Sequence, residues 1–418
     1  MRVIPLVVAM VMLPAAARAQ AADAAQAPAP AAPGPTPAPA PAAETASPPE
    51  GSVQGASRAR VTLAGYVEAF YQWNFNNPSN GITNLRGFDT RHNAFTLSNA
   101  VLDATGVLGP VALRLALQVG HTPETYYLAE PDRGASAGSG VSNRDVWKYL
   151  QQANVGWRAS VGRGLLLEAG LFTSPIGPEG FAVKDQWNWS RSNLFFGLPF
   201  YHAGLRVSYP FSEALTVTLA GYNGWNCVVD NNDEKSVSLG LDYVTDRWTF
   251  HALYFGGVER AADAPERQGT LPWRHLLDVY VQVNPRPWLS LLAHGNAGVE
   301  PNAFGASWWA AGALYARVRA RRWLFVTARG DVFYERSSTS GMNTAASIFW
   351  PGGWVSSGTA TLDARPHDNV SLRLEYRHDE AGGDTWFRGT VSTPPGATAP
   401  APNSPRQDTV TLGMTAWF

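Results

Sequence analysis

Residues 409–418 constrain the fold more than any other segment. Val410, Leu412, Met414, Ala416 and Phe418 share one parity, and Thr409, Thr411, Gly413 and Thr415 share the other. A period of two is that of a β-strand with one apolar and one polar face. The chain therefore closes on a strand that must pair with earlier strands or leave an open edge. The sequence up to that point decides which kind of sheet it completes.

At the other end, Arg2 precedes an apolar run from Val3 to Ala17, and Ala17-Arg18-Ala19 has small residues where a signal peptidase reads. The run is short for a membrane span. The pattern predicts a secretory signal over residues 1–19, cleaved before Gln20, with no Cys following to carry a lipid. With export in view, the final strand and its terminal aromatic resemble the closing strand and assembly signal of bacterial outer-membrane β-barrels, with Phe418 as the signal. Residues 20–60 contain APAPAAPGPTPAPAPAA. Such sequence has too little apolar surface to pack and favours extended conformers, which predicts a disordered periplasmic linker.

Hydrophobic residues make up 45% of the chain, yet no stretch after the signal approaches the ~20 apolar residues of a membrane helix. Gly (40), Trp (16) and Tyr (14) are abundant while charged residues are 16%, a balance that suits a β-barrel. A net charge of -1 gives no reason to expect a nucleic-acid partner. The single Cys227 excludes an internal disulfide.

Alternation recurs through residues 61–418. Val111, Leu113, Leu115, Leu117 and Val119 share a face, opposite Arg114 and Gln118. Leu239, Leu241 and Tyr243 oppose Ser238 and Asp242, and Leu372, Leu374 and Tyr376 oppose Arg373, Glu375 and Arg377. Periodicity does not say which face is inside; the export signal and the terminal Phe favour apolar-out. Short turns fall near residues 106–110, 160–164, 210–214, 245–247, 284–287, 320–322 and 365–369. Longer connections fall near residues 76–91, 122–145, 174–199, 226–234, 258–272, 298–306, 336–353 and 381–406. Short periplasmic turns alternating with long external loops predict an all-β fold, a transmembrane antiparallel up-and-down barrel of about sixteen strands. Strands 95–104 and 356–364 have the least distinct faces. Trp157, Tyr209, Tyr243 and Trp248 form an expected periplasmic girdle, whereas the parity of Trp288 and Trp323 points inward.

The segments GYVEAFYQWNFNNPSNGITNLRGFDTRHNAFTLSN, YYLAEP, GLFTSPIGPE, WNWSRSNLFFGLPFYHAGLR, YNGWNCVVDNNDEKS and LEYRHDE resemble the OmpL-like β-barrel porin family of Gram-negative bacteria. The likeness runs from about Arg60 to Phe418. It implies an outer-membrane location and a passive diffusion channel for small hydrophilic solutes or ions, and it assigns no catalytic or ligand residue.

A barrel of about sixteen strands is too wide for side chains to fill. The inferred lumen face carries Glu68, Arg114, Glu168, Arg206, Asp242, Arg274, Asp278, Arg317, Arg319, Arg329, Asp331, Asp363, Arg373, Glu375 and Arg377. Both signs are similarly frequent, so local arrangement would set selectivity. The third long connection carries Glu179, Lys184, Asp185 and Arg191. Folded inward, its acids would face a basic wall containing Arg317, Arg329 and Arg373 and form a constriction. The bland alternative is a loop packed over the rim.

Scattered His residues without a nucleophile elbow argue against a hydrolase. The run from Asp230 to Glu234 clusters oxygen ligands but lacks the spacing of a calcium loop, so no metal or cofactor is expected. Trp187, Trp189, Trp225 and Trp350 could stack sugars or simply pack a loop. Expected partners are outer-membrane lipid and lipopolysaccharide, the barrel assembly machinery and solutes, with homo-oligomerisation left open. The competing reading is a structural or interaction barrel with a plugged lumen and partner-binding external loops.

Overall fold

The computed structural model describes residues 59–130, 144–350 and 353–418. The expected signal, and the linker as far as residue 58, lie outside the described residues. Strands β1 (Arg60–Asn74), β2 (Ala94–Leu108), β3 (Val111–Val119), β4 (Leu150–Ala159), β5 (Leu165–Thr173) and β6 (Tyr201–Pro210) come first. Next come β7 (Leu215–Tyr222), β8 (Ser236–Val244), β9 (Trp248–Val258), β10 (Trp273–Arg286), β11 (Leu289–Asn302), β12 (Gly305–Arg321) and β13 (Leu324–Arg336). A two-stranded ribbon, β14 (Thr339–Ser340) and β15 (Asn343–Thr344), precedes β16 (Trp354–His367), β17 (Val370–Ala381) and β18 (Arg406–Trp417).

Apart from the ribbon, these strands close into one antiparallel barrel of sixteen. The alternating ending pairs as its pattern requires. β18 lies between β17 and β1, with Leu412 opposite Tyr71 and Trp417 opposite Tyr66. Beyond the strand, Phe418 N–H donates to Gly65 O at 3.0 Å and completes the seam. A closed ladder satisfies every strand edge internally, the condition for crossing lipid.

Side-chain faces follow the sequence pattern. Along β17, Ser371, Arg373, Glu375, Arg377 and Asp379 are buried inside, while Leu372, Leu374 and Tyr376 are exposed outside. Strands β2 and β16, whose faces are least distinct in sequence, take their expected places and extend beyond the expected limits. One connection differs. The expected loop at 298–306 is a turn of Ala303 and Phe304, because β11 and β12 pair as far as Asn302 and Gly305. The Asn302 side chain caps that turn by accepting from Phe304 N–H at 2.9 Å. Trp288 and Trp323 lie within turns and are exposed rather than inward, since strand parity lapses where the backbone reverses.

The outer half of the interior is not empty. Phe172, Tyr222, Phe255, Trp309, Phe333, Trp350 and Trp386 form one buried cluster. Phe88, Tyr126, Tyr127, Phe181, Phe195 and Tyr201 form another. Both draw on strand ends next to long connections, so the external loops pack into the barrel mouth.

Candidate functional site

The connection between β5 and β6, residues 174–200, runs inside the barrel. Pro175, Pro178 and Pro199 deny it backbone donors. It forms only a 3-10 turn at Val183–Asp185 and one helical turn, α1 (Asn193–Phe196), capped by Ser192 Oγ accepting from Phe195 N–H. Its backbone groups therefore need partners elsewhere, and the inward charges of the wall supply them.

Four wall carboxylates accept loop N–H groups. Glu68 takes Val183, and Glu375 takes Trp189 at 2.6 Å and Ser190 at 2.8 Å. Asp331 takes Asn193 and Asp278 takes Gly177, each at 3.1 Å. Three arginines donate to loop carbonyls. Arg373 reaches Asn188 O at 2.9 Å and Gln186 O at 2.7 Å. Arg329 reaches Ser190 O at 2.7 Å and Arg191 O at 3.1 Å, and Arg377 also reaches Arg191 O. Close packing seals the contact: Trp189 lies so near β18 that a Cβ on Gly413 would collide with the indole.

These wall charges are also paired with one another and with charges of the loops. Arg329 lies 3.2 Å from Glu179 and 3.2 Å from Asp331. Asp363 receives Arg317 at 3.1 Å, Arg365 at 3.0 Å and Arg373 at 3.6 Å. Arg274 and Arg260 both pair with Glu300.

The opposite wall is open. A cavity of about 540 Å³ lies between the loop and the inner faces of β2 to β9. It reaches Glu213 and Phe418 at the periplasmic end and Ser174 and Phe200 in the outer half. Three acid–base pairs border it: Arg114–Asp103 at 2.6 Å, Arg206–Glu168 at 3.0 Å and His251–Asp242 at 2.7 Å. Arg206 stacks on Phe172 at 3.8 Å, which holds its charge at the cavity edge.

The expected lumen residues Glu68, Arg114, Glu168, Arg206, Asp242, Asp278, Asp331 and Glu375 all lie on the inner face, but they divide between these two walls. Of the loop residues, Glu179 meets the basic wall through Arg329. Asp185 does not: it pairs with Lys184 at 2.9 Å, because the 3-10 turn sets both side chains on the cavity side. Arg191 bends back to its own loop, donating to Gly180 O at 2.9 Å and Trp189 O at 2.8 Å. Trp187, Trp189 and Trp350 are buried and Trp225 is partly buried, so they form no exposed stacking path. In the acidic run, Asp230 pairs with Lys235 and Glu234 with Arg267. Among the described residues, no group of three His, Cys, Asp or Glu is placed to hold a metal ion.

Sequence reasoning missed Asp103 and His251 as cavity groups. A register shift near Asn99 turns both Ser98 and Asn99 inward and blurs the faces of β2. His251 reads as one scattered His until its Asp242 partner is known.

The model of the family "Putative beta-barrel porin-2, OmpL-like" matches residues 60–418. The chain belongs to this family. The OmpL-like assignment spans the whole barrel and marks it as an outer-membrane porin-family protein. No curated protein matches the chain significantly. Among solved structures, the anion-selective porin of Comamonas acidovorans is similar at TM-score 0.54 and 10% identity, covering 86% of this chain and 100% of that one. OmpT of Vibrio cholerae matches at TM-score 0.52 and 10% identity, covering 86% and 98%. Its trimer form matches at TM-score 0.53 and 10% identity, covering 86% and 99%. At such identity these likenesses establish the fold alone.

Proposed function

We propose that this OmpL-like barrel is a non-enzymatic, passive diffusion channel for small hydrophilic solutes or ions. The observation that carries this reading is the charged cavity left between the inward loop and β2 to β9. Its path is eccentric, because the loop fills the other side. Residues 174–200 act as the constriction. Glu179, Arg191, Arg329 and Arg373 hold it in place, Arg317 reaches no loop residue and pairs instead with Asp363 beside Arg373, and Lys184 and Asp185 face the solute. Selectivity then rests on Arg114, Arg206, Lys184, Asp103, Glu168, Asp185 and Asp242. Such near-balanced charge supports weak discrimination between small ions. A homo-oligomer is part of the proposal, as the OmpT relative has a trimer form.

The second reading, a plugged barrel with partner-binding loops, is favoured by the aromatic clusters in the outer mouth. Purified protein in planar bilayers separates the two. A channel gives discrete ohmic steps and a reversal potential in a salt gradient. Absence of steps from folded, heat-modifiable protein supports the plug and overturns the channel.

A further inference from the structure

On the outer surface, the external ends of β2 and β3 carry a feature that the channel does not use. Phe95 at the start of β2 is 89% exposed, and Leu97, Val119 and Tyr149 are also exposed beside it. Above them, two adjoining grooves share Arg91, His121, Glu124 and Lys148, and Arg144 lines one of them. Gly120 makes this juxtaposition: at φ 139, with Ser98 O too close for any Cβ, it turns the chain so that His121 follows at the rim.

The charge is unevenly satisfied. Lys148 pairs with Asp145 at 3.1 Å and lies 5.5 Å from the Tyr149 ring. Arg91 and Arg144 make no ion pair with a described residue. His121 is bonded to Thr90 Oγ1 at 2.6 Å, and burial together with the nearby Arg91 charge lowers its pKa against the opposing charges of Glu124 and Asp89. Cations therefore stand directly above apolar side chains at the external edge of the lipid-facing band. An inorganic anion would leave Phe95 and Leu97 uncovered, and a neutral acyl chain would leave the guanidinium groups without counter-charge. An amphiphile with an anionic head matches both halves.

We propose that this groove is a binding site for a phosphorylated glycolipid of the outer leaflet. Its phosphate pairs with Arg91, Arg144 and Lys148, and its acyl chain covers Phe95, Leu97 and Val119. The test uses the full barrel in detergent with added lipid A, reading bound lipid by native mass spectrometry. Wild-type protein should retain lipid A and bind its dephosphorylated form roughly tenfold more weakly. R91E/R144E/K148E should lose about as much, and Phe95→Ser should also lose lipid. Arg388→Glu, an external arginine on the connection between β17 and β18, should change nothing. Equal binding of phosphorylated and dephosphorylated lipid by wild type would overturn the proposal. So would undiminished lipid A on the triple variant, or displacement of lipid A by equimolar inorganic phosphate. The wild-type comparison needs no variant to fold.

Discussion

Arg329 and Arg373 on β13 and β17 have side chains with no exposed surface, whereas Arg114 and Arg206 on β3 and β6 keep 25% and 20% exposed. All four arise from the same alternation and point to the same lumen. The difference lies in the loop at residues 174–200, which lays its backbone against one wall and leaves the other bordering the cavity. On the covered wall, arginines and carboxylates replace the water that loop amides would otherwise bind. On the open wall, the same residue types remain available to passing ions. An inward charge in a wide barrel is thus either a structural clamp or a filter group, and the loop's position decides which.

The largest expected effect is on the clamp. Arg329→Ala removes the cation paired with Glu179 and Asp331, the donor to Ser190 O and one of the two donors to Arg191 O. Removing one partner from such a buried set costs about 3–5 kcal/mol. Thermal unfolding in detergent should show the loss, and conductance should rise as the loop loosens. An equal loss from Arg206→Ala would erase the distinction between the walls.

Next comes the boundary with lipid. Leu115→Arg on the exposed outer face should destabilise the barrel by about 2–4 kcal/mol. Thr216→Arg, which opens into the cavity, should cost much less in the same assay. Comparable penalties would mean that the faces are reversed.

A pH test sharpens the covered side. Burial alone would raise the pKa of Asp89, in the connection between β1 and β2. Arg86, at 2.6 Å, outweighs it and holds the carboxylate below its ordinary range. Its stabilising contribution is complete above the unfolded value of about 3.9 and fades as pH falls through the lower folded value. Melting curves across acid pH should show that loss in wild type and a flatter response in Asp89→Asn.

The smallest stability effect belongs to the open wall. Arg114→Gln and Arg206→Gln should change stability by less than about 1 kcal/mol, since these pairs are partly solvated. They should move the reversal potential towards cation preference, and Glu168→Gln should move it towards anion preference.

The barrel was legible because alternation and turn spacing are local. Leu372 to Arg377 declare their two faces in six residues, and β17 obeys them. The inner-face parity of Glu68, Asp331 and Glu375 was legible for the same reason. Their bonding to loop amides was not, because Glu375 and Trp189 are 186 residues apart and nothing local joins them. Asp185 shows the reverse failure. Its sign suits the arginine wall, but its neighbour Lys184 meets the charge first. The turn at Ala303 and Phe304 was missed because Gly298 and Pro301 look like loop residues, yet both pair in register with β12.

The eccentric path is tested most directly by single-channel conductance of Thr216→Cys before and after reaction with a bulky charged thiol reagent. Wild type serves as control, since Cys227 is buried. The expected result is a stepwise fall in conductance on modification of Thr216→Cys and no change in wild type. Unaltered conductance with complete labelling would contradict a path along β2 to β9.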